Sequence, residues 1–271
     1  MEIAKALTIA GSDSGGGAGI QADIKTFQEL DVYGMSALTA VTAQNTLGVQ
    51  GVYSLPVPFV AQQIESVFAD LRPDAVKTGM LFSSEIIAEV AQQAAQHRID
   101  KLVIDPVMIA KGGASLLQSE AVTALVQQLL PLALVVTPNI PEAEVMTGCT
   151  IHSLADRKEA AKRIHDYGPA YVIVKGGHDA GSDTVTDLLY DGTAFTELAG
   201  PRVDTVHSHG TGCTFSAALT AELAKGNDIL SATRTARDYV QAALTDTLGI
   251  GGGHGPTNHW AYRKQKGVSS V

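Results

Sequence analysis

The segment HSHGTGCTFS, His207 to Ser216, joins a glycine turn to the start of an alanine-rich stretch with helical character. Gly210 and Gly212 allow a turn in which several backbone N–H groups point the same way, and a helix N-terminus adds partial positive charge. The pattern therefore predicts a binding site for an anion such as a phosphate. Cys213 lies at this helix start, where we expect the pKa of its thiol to be lowered.

A thiol in this position could also be a nucleophile, which would need a nearby base. His207 and His209 are close in sequence, so a cysteine hydrolase is one hypothesis, but the surrounding motifs favour phosphate handling. The two histidines have a spacing that a metal could use. No third ligand is apparent in the sequence, and we interpret both as loop residues.

Three further polar motifs follow short apolar runs. Asp105 ends VIDPV, Asn139 and Glu142 lie in TPNIPEAE, and Lys175 ends YVIVK. Asp105 and Glu142 could share a Mg²⁺, directly or through water, because this ion takes few protein carboxylates. Lys175 could contact a phosphate. Structural interpretations remain open: a turn cap for Asp105, a first-turn helix charge for Glu142 and a surface position for Lys175.

A second glycine-rich segment, GSDSGGGAGIQAD, spans residues 11–23. It lacks the Gly-Lys-Ser/Thr of a Walker A loop and does not fit GxGxxG. It is either a loop that approaches a ligand closely or a flexible connection between a strand and a helix. Asp23 would fall in that helix, where a solvated position or a charge favoured by the helix dipole is the alternative to a functional role.

These motifs require elements that bring them together, and the sequence predicts an α/β fold. Short apolar runs alternate with segments of helical period, as in a mostly parallel sheet with helices on both faces. Ligands of such sheets bind beyond the carboxyl ends of the strands. The predicted strands are 6–10, 37–43, 49–55, 74–79, 101–107, 133–138 and 170–177.

The alternation of predicted strands and helices changes in the last third of the chain. The segment VTDLLYDGTAFTEL predicts a β-hairpin around its Asp-Gly pair, and helices are predicted over 212–225 and 228–248. No repeat, linker or domain boundary interrupts the pattern. We therefore expect a single domain over residues 1–271, with 264–271 as a loose tail because it has no apolar pattern.

Composition restricts the possible functions. The 271 residues are 45% hydrophobic, enough for a large core, and the net charge of −9 argues against a general nucleic-acid binder. No apolar run approaches 18 residues, so we expect no membrane segment. Two cysteines, Cys149 and Cys213, do not make a disulfide framework, and no secretory signal is recognised. We expect a cytoplasmic location.

The order and spacing of these motifs resemble those of the ribokinase-like superfamily, and most closely the hydroxymethylpyrimidine/phosphomethylpyrimidine kinases of thiamine biosynthesis. The resemblance covers about residues 5–260. It implies a three-layer αβα sandwich and ATP-dependent phosphorylation of 4-amino-5-hydroxymethyl-2-methylpyrimidine and then of its monophosphate. The segments that carry it are GSDSGGGAGIQADIKTF, VTAQNT, KTGML, VIDPVM, TPNIPEAE, VIVKGGH, HGTGCTFSAA and GGGHGPTNH.

The same resemblance implies residue roles. The amide of Gln44 both donates and accepts, which suits the edge of an aminopyrimidine. Cys213 would be catalytic, at the position where sugar kinases carry Asp as the presumed base, and its thiol or only its backbone amide could be what matters. The implied pyrimidine site is Gly11, Asp23, Gln44, Met80 and Val107; the ATP and phosphate site is Gly210, Thr211, Gly212, Asn139 and Lys175; the Mg²⁺ ligands are Asp105 and Glu142.

Some features depart from the family pattern. Gly15 replaces an expected Ser, and AKGG at 110–113 replaces a common Ser-Gly pair. The first glycine loop leads directly into helical sequence, so we expect no inserted β-lid. By analogy with relatives we expect a homodimer. Two alternative functions stay open: a pyridoxine/pyridoxal kinase, against which Gln44 argues, and a non-catalytic pyrimidine- or nucleotide-binding regulator, against which the complete set of site residues argues.

Overall fold

A computed structural model describes residues 3–108, 119–179 and 183–267. The strands in these residues are β1 (Lys5–Asp13), β2 (Tyr33–Asn45), β3 (Gly48–Ser54), β4 (Ala75–Thr78), β5 (Leu102–Ile104), β6 (Val135–Val136), β7 (Tyr171–Val174), β8 (Thr184–Tyr190) and β9 (Phe195–Pro201). The helices are α1 (Gly19–Glu29), α2 (Val57–Asp70), α3 (Ser84–Gln96), α4 (Ser119–Ala124), α5 (Ile140–Thr147), α6 (Leu154–His165), α7 (Thr211–Ala224), α8 (Ile229–Thr245) and α9 (Ala261–Gln265).

The strands form one sheet in the order β3-β2-β1-β4-β5-β6-β7-β8-β9. The six strands from β2 to β7 in this order run parallel to their neighbours, whereas β3 at one edge and β8 and β9 at the other are antiparallel. The predicted mostly parallel sheet is confirmed, and each predicted strand is present. Its strand carboxyl ends meet at one edge, where the polar motifs follow.

Helices cover both faces of the sheet, and each face has its own core. On one face, Leu7 of β1 packs in a cluster with Ile64 of α2. On the other, Ala6 of β1 shares a cluster with Phe27 of α1 and Tyr239 of α8. Adjacent strand residues thus serve opposite cores, because side chains alternate across a sheet. This arrangement is the three-layer αβα sandwich that the motifs implied.

The end of the chain follows the sequence pattern with small differences. β8 and β9 form the predicted hairpin, but four residues rather than two connect them, and Asp191 Oδ1 accepts hydrogen bonds from the N–H groups of Thr193 and Ala194. The tail differs from expectation because α9 includes Lys264 and Gln265. Residues 268–271 and the AKGG segment lie outside the described residues.

The structure adds two findings on overall organisation. In the described part of the chain, the first glycine loop leads directly into α1 and all strands belong to the single sheet, so no β-lid is inserted there. No described helix combines the length and apolar character needed to cross a membrane.

Candidate active site

A cavity of about 620 Å³ lies at the carboxyl ends of the parallel strands. The residues that follow β1, β4, β5, β6 and β7 contribute to its wall, as expected for a parallel sheet. Every predicted site residue except Asp23 lines this cavity: Gly11, Gln44, Met80, Asp105, Val107, Asn139, Glu142, Lys175, Gly210, Thr211, Gly212 and Cys213.

The glycine turn before α7 has the geometry of an anion site. Gly210 caps the helix with φ +84°, a left-handed conformation that favours glycine, and a side chain there would collide with the carbonyl oxygen of Gly17. The helix begins at Thr211, whose hydroxyl donates to Ser208 O at 2.7 Å. The first N–H groups of a helix have no intrahelical acceptor, so the turn presents donors and a positive dipole end to the cavity.

The thiol of Cys213 does not have the lowered pKa that its helix position predicted. Cys213 is half-buried, and burial raises the pKa of its thiol from 9.0 to about 11. The charge of Lys77 favours the thiolate and opposes this change, while the carboxylates of Asp23 and Asp105 reinforce it. The prediction is wrong because withdrawal from water outweighs the helix N-terminus.

Asp105 lies directly beyond β5 and is buried. Its Oδ1 pairs with Lys175 Nζ at 3.1 Å, and its Oδ2 accepts from the hydroxyl of Ser216 at 3.1 Å. Burial alone would lower the pKa of Lys175, but the charges of Asp105 and Glu142 raise it above its ordinary value. Lys175 is therefore a charged ammonium in the cavity wall that pairs with Asp105, rather than a surface lysine.

Asn139 and Glu142 form a capping box at the start of α5. Asn139 Oδ1 accepts from Glu142 N at 2.9 Å, and Glu142 Oε2 accepts from Asn139 N at 2.8 Å. Burial, followed by the repulsion of Asp105, raises the pKa of Glu142 to about 7, against the attraction of Lys175. The structural interpretation is confirmed, and since both residues also line the cavity, the cap leaves the functional role open as a prediction.

The acidic residues suit a weakly held divalent cation. Within the described ranges, no group of three or more His, Cys, Asp and Glu side chains has the arrangement of a metal site. Asp105 and Glu142 supply carboxylate oxygens to the cavity, the donors that Mg²⁺ takes in small number while it keeps water and phosphate ligands. The residues present therefore fit Mg²⁺ bound together with a phosphate-bearing ligand.

Asp23 does not line the cavity, contrary to the role that the resemblance implied. Its carboxylate is completely buried, with Oδ1 at 2.7 Å from Lys77 Nζ and Oδ2 at 2.6 Å from the hydroxyl of Thr8. A position in the first turns of α1 points this side chain back toward β1 and β4. The correction also excludes the solvated position considered from the sequence.

The first glycine loop is organised around Asp13, which the sequence analysis did not single out. Asp13 Oδ1 accepts from Gly15 N at 2.8 Å, and Oδ2 accepts from Gly17 N at 3.0 Å and Ala18 N at 2.9 Å. His209, interpreted above as a loop residue, places Nε2 at 2.8 Å from Asp13 Oδ2. A lone carboxylate among glycines is the signal that could have revealed this loop anchor.

Gln44 lies at the end of β2, beside this anchor. Its Nε2 is 3.3 Å from His209 Nε2, and its Oε1 is 3.2 Å from the hydroxyl of Thr42. Gly11 and Met80 line the same cavity, and a side chain at position 11 would collide with Met80 Cε. The cavity therefore combines the amide of Gln44 with close backbone and apolar surfaces, as a flat heterocycle requires.

The cavity wall also includes Asp187, which accepts hydrogen bonds from Arg237 and from Gly176 N. Several apolar side chains from the second half of the chain form another part of the wall. These side chains are Val185, Val203, Phe215, Val240 and Leu244.

The fold is ribokinase-like, and one cavity brings together a glycine turn at a helix start, a lysine and two acidic residues. This combination defines a small-molecule kinase. A family model described as phosphomethylpyrimidine kinase matches residues 13–258. The chain belongs to this phosphomethylpyrimidine kinase family.

The chain is similar to kinases that act in two different vitamin pathways. The chain is 59% identical to a hydroxymethylpyrimidine/phosphomethylpyrimidine kinase of Bacillus subtilis over 264 residues, 97% of either chain. It is 42% identical to pyridoxal kinase of B. subtilis in complex with ADP, with a TM-score of 0.90 over 97% of this chain and 100% of that one. Pyridoxal kinase of Staphylococcus aureus with AMP-PCP and pyridoxal gives 40% identity and a TM-score of 0.89, over 97% and 96%.

Proposed function

We propose that the protein phosphorylates the hydroxymethyl group of 4-amino-5-hydroxymethyl-2-methylpyrimidine with ATP, and then phosphorylates the monophosphate to the pyrophosphate. One observation carries this proposal: the same cavity contains the amide of Gln44 and the anion-binding turn at Gly210 to Cys213. An aminopyrimidine held at Gln44 would direct its hydroxymethyl oxygen toward a phosphoryl group in the turn. The identity to the B. subtilis pyrimidine kinase supports the same substrate.

Phosphoryl transfer depends mainly on positioning and on stabilisation of charge. The backbone N–H groups at the start of α7 would bind the transferring phosphoryl group, and Lys175 would neutralise charge beside it. Asn139, which caps α5, lines the same cavity. We assign the adenine of ATP to the apolar part of the cavity wall that includes Val185, Val203 and Leu244.

Mg²⁺ would be held by Asp105 and Glu142 on its protein side. The ion supplies charge neutralisation on the phosphates when it is bound. Asp105 is fixed by Lys175 and Ser216, and Glu142 is fixed by the cap of α5, so neither carboxylate has to be ordered when the ligands arrive.

We assign the hydroxyl proton of the substrate to Cys213. With a pKa of about 11 the thiol is mostly protonated at neutral pH, so it would first release its proton to solvent water. The resulting thiolate, which the ammonium of Lys77 favours, would then accept the proton of the substrate hydroxyl. The residue also contributes its backbone N–H to the turn. Replacement by serine separates these two roles, because serine keeps the N–H and removes the thiol.

Pyridoxal or pyridoxine phosphorylation is the second candidate function. It is favoured by the two pyridoxal kinase structures, which match this chain over almost its whole length. The amide of Gln44 argues for the aminopyrimidine, and the identity to the pyrimidine kinase of B. subtilis exceeds the identity to the pyridoxal kinase of the same organism, 59% against 42%.

We further propose a homodimer in the cytoplasm. The edge strand β3 and the start of α2 carry exposed apolar side chains, including Tyr53 at 69% and Phe59 at 50% exposure, which a second copy would cover. Both cysteines are free, which suits a reducing compartment. Sedimentation velocity tests the dimer: a dimer is expected for the native chain, and a monomer at micromolar concentration would refute it.

Mass spectrometry of reaction products tests the proposed activity. With ATP, Mg²⁺ and the hydroxymethylpyrimidine, we expect ADP together with the pyrimidine monophosphate and later the pyrophosphate. If no ADP forms with this substrate, or if the monophosphate never proceeds further, the proposal fails in its first or second step respectively. Complete absence of turnover would return the protein to the class of ligand-binding regulators.

A further inference from the structure

The hydrogen bond between Asp13 and His209 joins two segments that are 196 residues apart in the chain. Asp13 ends β1 at the first glycine loop, whereas His209 immediately precedes the anion-binding turn. The side chain of His209 is 14% exposed and that of Asp13 is 3% exposed, so water competes little for this contact. The proposed mechanism gives no role to either residue.

Asp13 is held as a carboxylate. Burial alone would raise its pKa, but the hydrogen bond from His209 and those from the loop N–H groups hold the pKa below its ordinary value. Its carboxylate accepts four hydrogen bonds, and three of them come from the backbone of the glycine loop, at Gly15, Gly17 and Ala18. The fourth comes from His209, which therefore anchors the shape of the whole loop to the segment that carries the anion-binding turn.

The same imidazole nitrogen faces Gln44. Because Nε2 of His209 lies against a carboxylate, hydrogen-bonding logic assigns its proton to that contact. Nε2 then has no lone pair for the amide nitrogen of Gln44, 3.3 Å away. The hydroxyl of Thr42 lies on the oxygen side of the amide at 3.2 Å. This pattern leaves the NH₂ of Gln44 free to donate to a ligand.

The backbone of His209 is fixed as firmly as its ring. His209 N donates to Gly255 O at 3.0 Å, and Thr257 N donates to His209 O at 3.2 Å, which ties the residue to the C-terminal segment GGGHGPTN. Gly17 packs so closely on His209 Cδ2 that a side chain there would collide. A shift of the ring would therefore move the glycine loop, and a shift of the backbone would move the adjoining turn.

We propose that His209 is a positioning residue that couples the first glycine loop to Gln44 in recognition of the pyrimidine. Through Asp13 it sets the first glycine loop, and its ring lies beside the amide of Gln44. Its backbone contacts with Gly255 and Thr257 hold the ring in this position. The inference rests on the proposed function, because it takes the ligand at Gln44 to be an aminopyrimidine and the ligand at the turn to be a phosphoryl group.

Steady-state kinetics of His209→Ala and His209→Gln test this coupling. Loss of the donor in His209→Ala should raise KM for the pyrimidine about tenfold or more, the lower end of what loss of a hydrogen bond to a charged group costs. KM for ATP should change less than about twofold, because the anion-binding turn keeps its own amides. His209→Gln should recover most of the loss, because its amide N–H can replace Nε2–H toward Asp13.

His254→Ala is the matched control, because this exposed histidine lies in the neighbouring segment outside the cavity lining. It should leave both KM values unchanged. Equal changes in the two KM values of His209→Ala, or no recovery with His209→Gln, would overturn the coupling and leave a purely structural histidine. If His209→Ala does not fold, Asp13→Asn takes its place with the same expected split, and equal KM changes in that variant overturn the proposal.

Failure of the inference is separable from failure of the proposed function. A native enzyme that phosphorylates the pyrimidine while His209→Ala keeps the native KM would refute the coupling alone. A native enzyme that does not turn over the pyrimidine would refute the function first, and with it the coupling.

Discussion

Lys77 Nζ lies 2.7 and 2.8 Å from the two carboxylate oxygens of Asp23, and both side chains are completely buried. Burial alone would lower the pKa of the Lys77 amine, but the charge of Asp23 raises it above its ordinary value, so the lysine stays charged. A side chain added to Gly79, a cavity residue, would approach Lys77 Nζ. The pair of Lys77 and Asp23 therefore lies directly behind the cavity wall at Gly79.

Removal of one partner of this pair should be strongly destabilising. Asp23→Ala leaves a buried ammonium without its partner, which costs about 3–5 kcal/mol in comparable cases. The double variant Asp23→Leu with Lys77→Met, which buries no charge, should regain much of the lost stability. Urea unfolding measures both. A loss below about 1 kcal/mol in Asp23→Ala would contradict the buried, ionised pair.

Replacement of Cys213 by serine tests its assignment as proton acceptor. A positioned base contributes about 10²–10⁴-fold, so Cys213→Ser should lower kcat at least about tenfold. KM for ATP should change little, because serine retains the backbone N–H of the turn. A fall in kcat of less than about tenfold would leave Cys213 only its backbone role.

Two substitutions in the capping box of α5 separate its effect on stability from its effect on Mg²⁺ binding. Asn139→Ala removes the side-chain acceptor for Glu142 N and should lower the free energy of unfolding by about 1 kcal/mol. Glu142→Gln keeps an oxygen for Asn139 N but loses the charge, so it should raise the Mg²⁺ concentration needed for half-maximal activity severalfold. Unchanged Mg²⁺ dependence in Glu142→Gln would remove Glu142 from the metal site.

The buried His259 should make the free energy of unfolding depend on pH in the acid range. Burial, with a smaller effect of Lys25, lowers its pKa from 6.5 to about 4. Between these pH values the unfolded chain binds a proton that the folded chain refuses, so the free energy of unfolding falls as pH decreases, by about 1.4 kcal/mol per unit. The total loss is about 3 kcal/mol by pH 4, and above pH 6.5 this histidine adds no pH dependence.

His259→Gln checks this window, because glutamine can keep the contact that His259 Nε2 makes with the hydroxyl of Thr214 at 3.2 Å. Denaturant unfolding between pH 7 and 4 should be less pH-dependent in this variant than in the native chain. The exposed His254→Gln should keep the native pH dependence. Identical curves for native and His259→Gln proteins would show that His259 titrates normally.

Local patterns in the sequence were enough to predict most of the fold. The alternation of apolar runs and helical periods predicted the parallel sheet. The residues that follow the predicted strands lie in the cavity wall, because the carboxyl ends of parallel strands meet at one edge of the sheet. Gly210 and Gly212 indicated the anion-binding turn for a reason that the structure bears out, a backbone conformation that only glycine adopts without strain at Gly210.

The errors arose where long-range contacts decide the outcome. Asp23 looked solvent-exposed or ligand-facing because its partner Lys77 is 54 residues away, although a lysine within the apolar run of β4 hinted at a buried pair. The thiol of Cys213 was assigned a low pKa from its helix position alone, whereas burial controls it. His209 lies in the loop between β9 and α7 as interpreted from the sequence, but its contact with Asp13, 196 residues away, was not predicted.

The substrate preference is the central claim, and side-by-side kinetics test it most directly. With ATP and Mg²⁺, kcat/KM should be highest for 4-amino-5-hydroxymethyl-2-methylpyrimidine, measurable for its monophosphate, and lower for pyridoxal and pyridoxine. Gln44→Leu should reduce kcat/KM for the pyrimidine by at least about tenfold, since a buried amide contact is lost. A higher kcat/KM for pyridoxal or pyridoxine than for the hydroxymethylpyrimidine in the native protein would contradict the account.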